Sequence, residues 1–127
     1  MNCKNLMPAA VFLALASGAA HGQGASPDGQ KLFQQRCASC HSVEPGQARI
    51  GPNLHGVVGR TAGKLEGARY SPALEKSDIV WNDETLNSYL ENPRGLVPQT
   101  TMTVALRDPE QRMAIVSYLK TLTSPAQ

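Results

Sequence analysis

Aromatic residues are scarce in this chain: its 127 residues include one Trp, three Tyr and two Phe. A domain of this length with so few large side chains has a thin core, so an apolar cofactor would stabilise it greatly. The sequence also lacks a strong excess of one charge, with 12 basic and 10 acidic residues and no basic stripe. This balance argues against nucleic-acid binding. Strand-type alternation and internal repeats are missing as well, which favours a single helical domain.

The only apolar run of any length lies at the N-terminus. Residues 1–7 contain one lysine, residues 9–16 are apolar, and small residues follow at 17–20. This order is typical of a secretory signal peptide. We predict a leader over residues 1–22, cleaved near residues 20–22, and a periplasmic domain over residues 23–127. The apolar run is short for a membrane span of ~20 residues, so stable membrane insertion is not expected. A leader retained as a membrane anchor is the alternative.

Cleavage of the leader would remove Cys3 and leave two cysteines. They lie in the sequence Cys37-Ala38-Ser39-Cys40-His41, the pattern of a c-type haem attachment site. Two thiols at this spacing can form thioethers with the haem vinyl groups, and the adjacent His41 is placed to bind the iron. A zinc site would need more soft ligands, a thioredoxin-like pair would follow a strand, and a disulfide leaves His41 unexplained. The pattern therefore predicts one haem c per chain, linked to Cys37 and Cys40.

Iron bound by one histidine needs a sixth ligand or an open face. We interpret Met113 as a core residue because it shares a helical stripe with Val116 and Leu119. His55 lies in a glycine-rich turn and is interpreted as a structural loop residue. Met102 is a soft thioether in a polar segment, and Met/His ligation gives haem a high potential. Met102 is therefore the predicted sixth ligand. The alternative is a labile sixth site, as in a peroxidase or a gas sensor.

The remaining pattern predicts short helices joined by long loops. Helices are expected from Ser26 or Asp28 to residue 36, over 71–76, over 84–91 and from Asp108 onwards. Asn82 or Asp83 would cap the third, and Asp108-Pro109 with a capping-box Gln111 would begin the last. Residues 98–106 are expected to be extended. The irregular stretch 42–69 is unusually long unless it wraps around another group.

Several blocks in this order resemble the class I, mitochondrial-like cytochromes c, including small bacterial periplasmic members. The resemblance implies a small, loop-rich, all-α fold wrapped around one covalently bound haem. It also implies a soluble, exported one-electron carrier between redox enzymes or respiratory complexes, rather than an enzyme. The blocks that carry the resemblance are residues 29–33, 37–41, 51–56, 59–60, 81, 89–93, 102 and 118–120.

The resemblance also implies roles for individual residues. The Pro52 carbonyl would accept a hydrogen bond from the second ring nitrogen of His41, which fixes the ligand's orientation. Arg60, Tyr70 and Trp81 would satisfy the haem propionates. The further residues assigned to the cofactor site are Tyr89, which would lie beside Met102, and Thr100.

Two features depart from the family pattern. Gln99 stands where members commonly have glycine after the proline of the methionine segment. Lysines that commonly surround the exposed haem edge are missing at Gly95 and Thr101. We expect redox partner proteins to dock at that edge of a monomer, with weak electrostatic steering. A dedicated redox subunit of one enzyme is a close variant. The basic residues that remain around the edge are Arg36, Arg49, Arg94 and Arg107.

Overall fold

The computed structural model describes residues 27–122, so the predicted leader (1–22) and the candidate cap Ser26 lie outside the described residues. Within the described range the chain forms five helices and one isolated bridge, which pairs Thr61 with Val80. None of these helices is long and apolar enough to cross a membrane. The helices are α1 (Gly29–Arg36), α2 (Pro72–Glu75), α3 (Asp83–Glu91), α4 (Pro93–Leu96) and α5 (Pro109–Thr121).

The helix starts follow side-chain capping. The Asp28 carboxylate accepts a hydrogen bond from the Lys31 amide at 3.2 Å. Asn82, and not Asp83, caps α3: its side chain accepts from the Thr85 amide, and the Thr85 hydroxyl accepts from the Asn82 amide, both at 2.9 Å. This reciprocal pair is a capping box. The predicted helices α1, α2 and α3 are thereby confirmed to within a residue or two.

The start of α5 differs in detail from the prediction, and α4 was not predicted. The Asp108 carboxylate accepts from the Glu110 amide, one residue before the Gln111 amide that a capping box would use. Asn92 caps the end of α3, and Pro93 begins α4, because proline is well suited to a first helical position. The Asn92 side chain caps this short helix by accepting from the Gly95 amide at 3.0 Å.

Helices α1 and α5 cross in close contact at Gly29. A Cβ at this position would overlap the carbonyl group of Ala114. Further along the crossing, the Phe33 and Tyr118 rings pack with their centroids 5.7 Å apart. Ile115 of α5 is 1% exposed and belongs to the same hydrophobic core as Phe33.

Met113 is not a core residue, contrary to the sequence-based interpretation. Its side chain is 59% exposed. Successive helical positions turn by about 100°, so Met113 lies nearly opposite Ile115. The position that completes the buried stripe is occupied by Arg112, a charged residue that apolar periodicity passes over. The buried residues of α5 are Arg112, Ile115, Val116 and Leu119.

The long irregular stretch over residues 42–69 is ordered by hydrogen bonds instead of regular structure. The Asn53 side-chain amide donates to the carbonyls of Glu44 and Gln47, at 2.6 and 2.8 Å. The Leu54 amide donates to the Ser42 carbonyl at 2.8 Å. These bonds close the stretch on itself and pair the backbone carbonyls of Ser42, Glu44 and Gln47.

The extended segment between α4 and α5 contains a strained residue. Gln99 has a φ of 68°, and it is the only non-glycine residue with positive φ in the described part of the chain. The left-handed conformation costs a non-glycine residue roughly 1–2 kcal/mol. Gln99 thus adopts the backbone conformation that favours glycine, the residue commonly found here in the family that the sequence resembles.

Replacing Gly29 with Ala should lower the free energy of unfolding of the haem-loaded protein by about 1–3 kcal/mol, because the added methyl group forces α1 away from α5. Denaturant unfolding measures this loss. Gln30→Ala, at the exposed neighbouring position, is the control and should change stability by less than about 0.5 kcal/mol. Equal effects of the two variants would contradict the close contact.

Replacing Gln99 with Gly should raise the free energy of unfolding by about 0.5–1 kcal/mol, because relief of the left-handed strain exceeds the entropy lost by glycine. Ala105→Gly, in the same segment but with negative φ, is the control and should lower stability by a similar amount. A loss of stability in Gln99→Gly would show that the Gln99 side chain contributes more than its backbone costs.

Candidate haem-binding site

A cavity of about 300 Å³ lies between the helices and the long loop, within the size range of small-molecule sites. Its walls are mostly apolar, and they come from α1, α2, α3, α5 and the irregular segments 42–69 and 98–106. The apolar residues that line it include Phe33, Leu54, Val57, Leu74, Leu86, Leu90, Leu106, Ile115 and Leu119. Such walls suit a large planar apolar group and keep water out.

The end of α1 brings both cysteines and His41 to one wall of the cavity. The Cys37 amide donates to the Phe33 carbonyl at 2.8 Å, and the His41 amide donates to the Cys37 carbonyl at 2.9 Å. Cys37 and Cys40 are free thiols, not a disulfide. Burial raises the pKa of the Cys37 thiol to about 11; the nearby Arg36 charge lowers it and Cys40 raises it. The thiol is therefore protonated at neutral pH.

His41 is held in one orientation by its neighbours. Its Nδ1 lies 2.8 Å from the Pro52 carbonyl oxygen, so Nδ1 carries the proton and Nε2 keeps a free lone pair. The ring packs against Gly51 so closely that a Cβ there would overlap it. Burial lowers the pKa of the imidazole, and the bond to Pro52 opposes this. A neutral ring with a fixed tautomer is the form that binds metals.

Met102 lines the same cavity and is half-buried. Beside it, the Tyr89 hydroxyl and Thr100 Oγ1 are 2.6 Å apart, and the Met102 amide donates to Thr100 Oγ1 at 3.5 Å. The Tyr89 ring packs on Trp81 with centroids 5.0 Å apart. Burial raises the pKa of the Tyr89 hydroxyl, although its bond to Thr100 acts in the opposite direction. Tyr89 is thus neutral and held in place.

The charged residues that line the cavity are all basic. Arg36, Arg60 and Arg69 contribute to its walls, and no aspartate or glutamate is found among the residues lining it. The Arg60 guanidinium also donates to the backbone carbonyls of Asn53 and His55. A lining whose charged side chains are all positive favours a ligand that carries carboxylates.

All ten residues assigned to the site from the sequence line this one cavity. Met113 and His55, which were not chosen as the sixth iron ligand, are not among the lining residues. Arg36, which was predicted to lie at the haem edge, also lines the cavity. Sequence reasoning missed Arg69, for which the position beside Tyr70 was the available signal. The ten residues are Cys37, Cys40, His41, Pro52, Arg60, Tyr70, Trp81, Tyr89, Thr100 and Met102.

The residues present fit haem. A neutral imidazole and a thioether are an axial donor pair found in cytochromes, the thiols can form the thioether links, and the apolar walls suit the macrocycle. The arginines suit its propionates. By contrast, no group of three or more His, Cys, Asp or Glu side chains within residues 27–122 could hold a metal ion.

Comparisons with known proteins agree with this site. A family model described as "Cytochrome c" matches residues 26–123. A cytochrome c of Euglena viridis is 45% identical over 100 residues, covering 78% of this chain and 98% of the relative. One of Kluyveromyces lactis is 41% identical over 103 residues, covering 80% and 94%. One of Ginkgo biloba is 41% identical over 98 residues, covering 76% and 87%. The chain therefore belongs to the cytochrome c family, and it is an all-α, single-haem electron carrier that binds haem c through Cys37 and Cys40.

Proposed function

We propose that His41 and Met102 are the axial ligands of the haem iron, and that the protein is an exported carrier of single electrons between redox enzymes or respiratory complexes. The observation that carries the proposal is that the two side chains line one cavity together with both thiols. Each is also held by its neighbours: His41 by Pro52 and Gly51, and Met102 through Thr100 and Tyr89.

When bound, haem c supplies the iron that gains and loses the electron. The protein's own residues keep the surroundings of that iron unchanged between the two charge states. The Pro52 carbonyl holds the Nδ1 proton of His41 and so keeps Nε2 available. The apolar walls exclude water, whose reorientation would slow the transfer. Arg60, Tyr70 and Trp81 line the cavity and would satisfy the propionates, which would be costly to bury unpaired.

Redox partners dock, in this proposal, where cavity-lining residues are also exposed. Ile50 and Val104 line the cavity and are 84% and 40% exposed. Arg36 and Arg69 are exposed lining residues as well. A partner that meets this surface would contact apolar side chains flanked by a few positive charges. Because only a few charges steer the encounter, its rate should depend only weakly on salt.

Gln99 bears on the alternative of a labile sixth site, as in a peroxidase or a gas sensor, because it replaces the usual glycine in the segment that carries Met102. Gln99 adopts the positive φ that glycine would adopt. The replacement of glycine therefore leaves the backbone path from residue 99 to Met102 unchanged. This favours a filled sixth position and the carrier function.

The ligand assignment is tested by replacing Met102 with Ala in the haem-loaded protein. The weak far-red methionine–iron absorption band should disappear. The reduction potential should fall by on the order of 100 mV, because axial ligands set haem potentials over about 0.8 V. Met113→Ala, on the exposed face of α5, is the control and should change neither. An unchanged spectrum and potential in Met102→Ala would show that Met102 is not on the iron.

Export is supported by the position of the family match, which begins at residue 26 and leaves the predicted leader outside it. Expression of the full chain in a bacterial host with a periplasm, followed by mass measurement of the purified protein, tests this proposal. We expect a mature chain that starts close to residues 21–23 and carries one haem. An uncleaved chain recovered with the membrane fraction would instead support the anchored alternative.

A further inference from the structure

Arg112 is a buried charged residue that the electron-carrier function does not by itself explain. It lies in the first turns of α5, is 5% exposed, and does not line the haem cavity. A buried guanidinium is costly unless its donors are paired. Its partners should therefore reveal what it does.

The Arg112 guanidinium bonds in two directions. Towards α3, its Nε donates to Asn87 Oδ1 at 2.8 Å, and one terminal nitrogen lies 3.4 Å from a Glu91 carboxylate oxygen. The other terminal nitrogen donates to two backbone carbonyls, those of Leu106 and Arg107, both at 2.8 Å. These two carbonyls belong to the extended segment that leads from Met102 to α5.

The Met102 segment is held mainly at its two ends. At one end Thr100 is buried and bonded to Tyr89 of α3. At the other end Leu106 is buried, and its amide donates to the Leu90 carbonyl at 2.7 Å. Between them every residue of 101–105 except Met102 is exposed. The span has little packing of its own, so its position depends on the two anchors.

We infer that Arg112 is a positioning residue that fixes the C-terminal anchor of this span and so holds Met102 towards the cavity; this inference rests on the proposed Met102 ligation. A residue that only joined α5 to α3 would need no more than the bonds to Asn87 and Glu91. The exposed pair Lys120–Asp83, at 2.7 Å, already links the same two helices. The bonds to the Leu106 and Arg107 carbonyls are what distinguish Arg112 from such a link.

Lysine cannot replace Arg112 in this role. A guanidinium presents five donors in a rigid planar fork, which can reach acceptors in two directions at once. A lysine ammonium keeps the charge but carries three donors on a single atom. Arg112→Lys should therefore preserve the fold while loosening the anchor at Leu106 and Arg107, and the Met102-free state should become more populated.

The test uses the haem-loaded, oxidised protein with free imidazole as a probe that competes with Met102 for the sixth position. In Arg112→Lys we expect the dissociation constant for imidazole to fall about tenfold, because the hydrogen bonds lost are charge-assisted. The far-red methionine–iron band should weaken in the same variant. Asn87→Ala, which removes the acceptor of Nε, should shift imidazole binding in the same direction by a smaller factor and remains informative if Arg112→Lys folds poorly.

Two controls separate positioning from general stability. Val116→Ala removes a buried side chain of α5 that is 5% exposed and does not line the cavity. Lys120→Met breaks the exposed link between α5 and α3. Neither Val116→Ala nor Lys120→Met should change the imidazole dissociation constant by more than about twofold. This should hold even if Val116→Ala lowers the denaturation midpoint as much as Arg112→Lys does.

Each result decides a different point. Tighter imidazole binding in Arg112→Lys, but not in Val116→Ala, supports the inference. The same binding in Arg112→Lys and the wild type, or equal tightening in Val116→Ala, overturns it and leaves Arg112 a purely structural residue. A wild-type protein without the methionine–iron band contradicts the proposed ligation itself and removes the basis of the inference.

Discussion

The close crossing of α1 and α5 at Gly29 is the contact on which the rest of the molecule depends. It positions α1 against α5, and the end of α1 carries Cys37, Cys40 and His41 to the cavity wall. It also fixes the face of α5 that supplies Ile115 and Leu119 to the cavity wall. Displacement of either helix would therefore alter the haem attachment site and the opposite wall together.

Within this frame the polar groups fall into two sets with different tasks. One set faces the cavity and is suited to the cofactor: the neutral His41 imidazole, the Met102 thioether and the arginines. The other set faces away and orders the backbone that carries the first. Asn53 closes the long loop, and Arg112 joins two helices to the segment after Met102. A small core is sufficient here because such hydrogen bonds order the loops that packing does not cover.

Much of this structure could be predicted from the sequence, because local signals were strong. Caps and prolines marked three helices to within a residue or two, and the spacing of Cys37, Cys40 and His41 identified the haem attachment site. The wrong assignment of burial in α5 arose because burial depends on tertiary contacts. Met113 was assigned to the core because it is apolar, whereas Arg112 occupies the buried position because distant acceptors pair its charge. No periodicity in sequence carries that information.

The residues that support the two proposed axial ligands, His41 and Met102, lie at different distances along the chain. His41 is held by Pro52, eleven residues away, and by the turn at the end of α1. Met102 depends on α3 and on Arg112 of the C-terminal helix. The histidine side can therefore be organised by a short stretch of chain, whereas the methionine side requires nearly the whole domain to be folded. As the last part assembled from distant pieces, the methionine side should also be the first to open in local unfolding, while His41 stays in place.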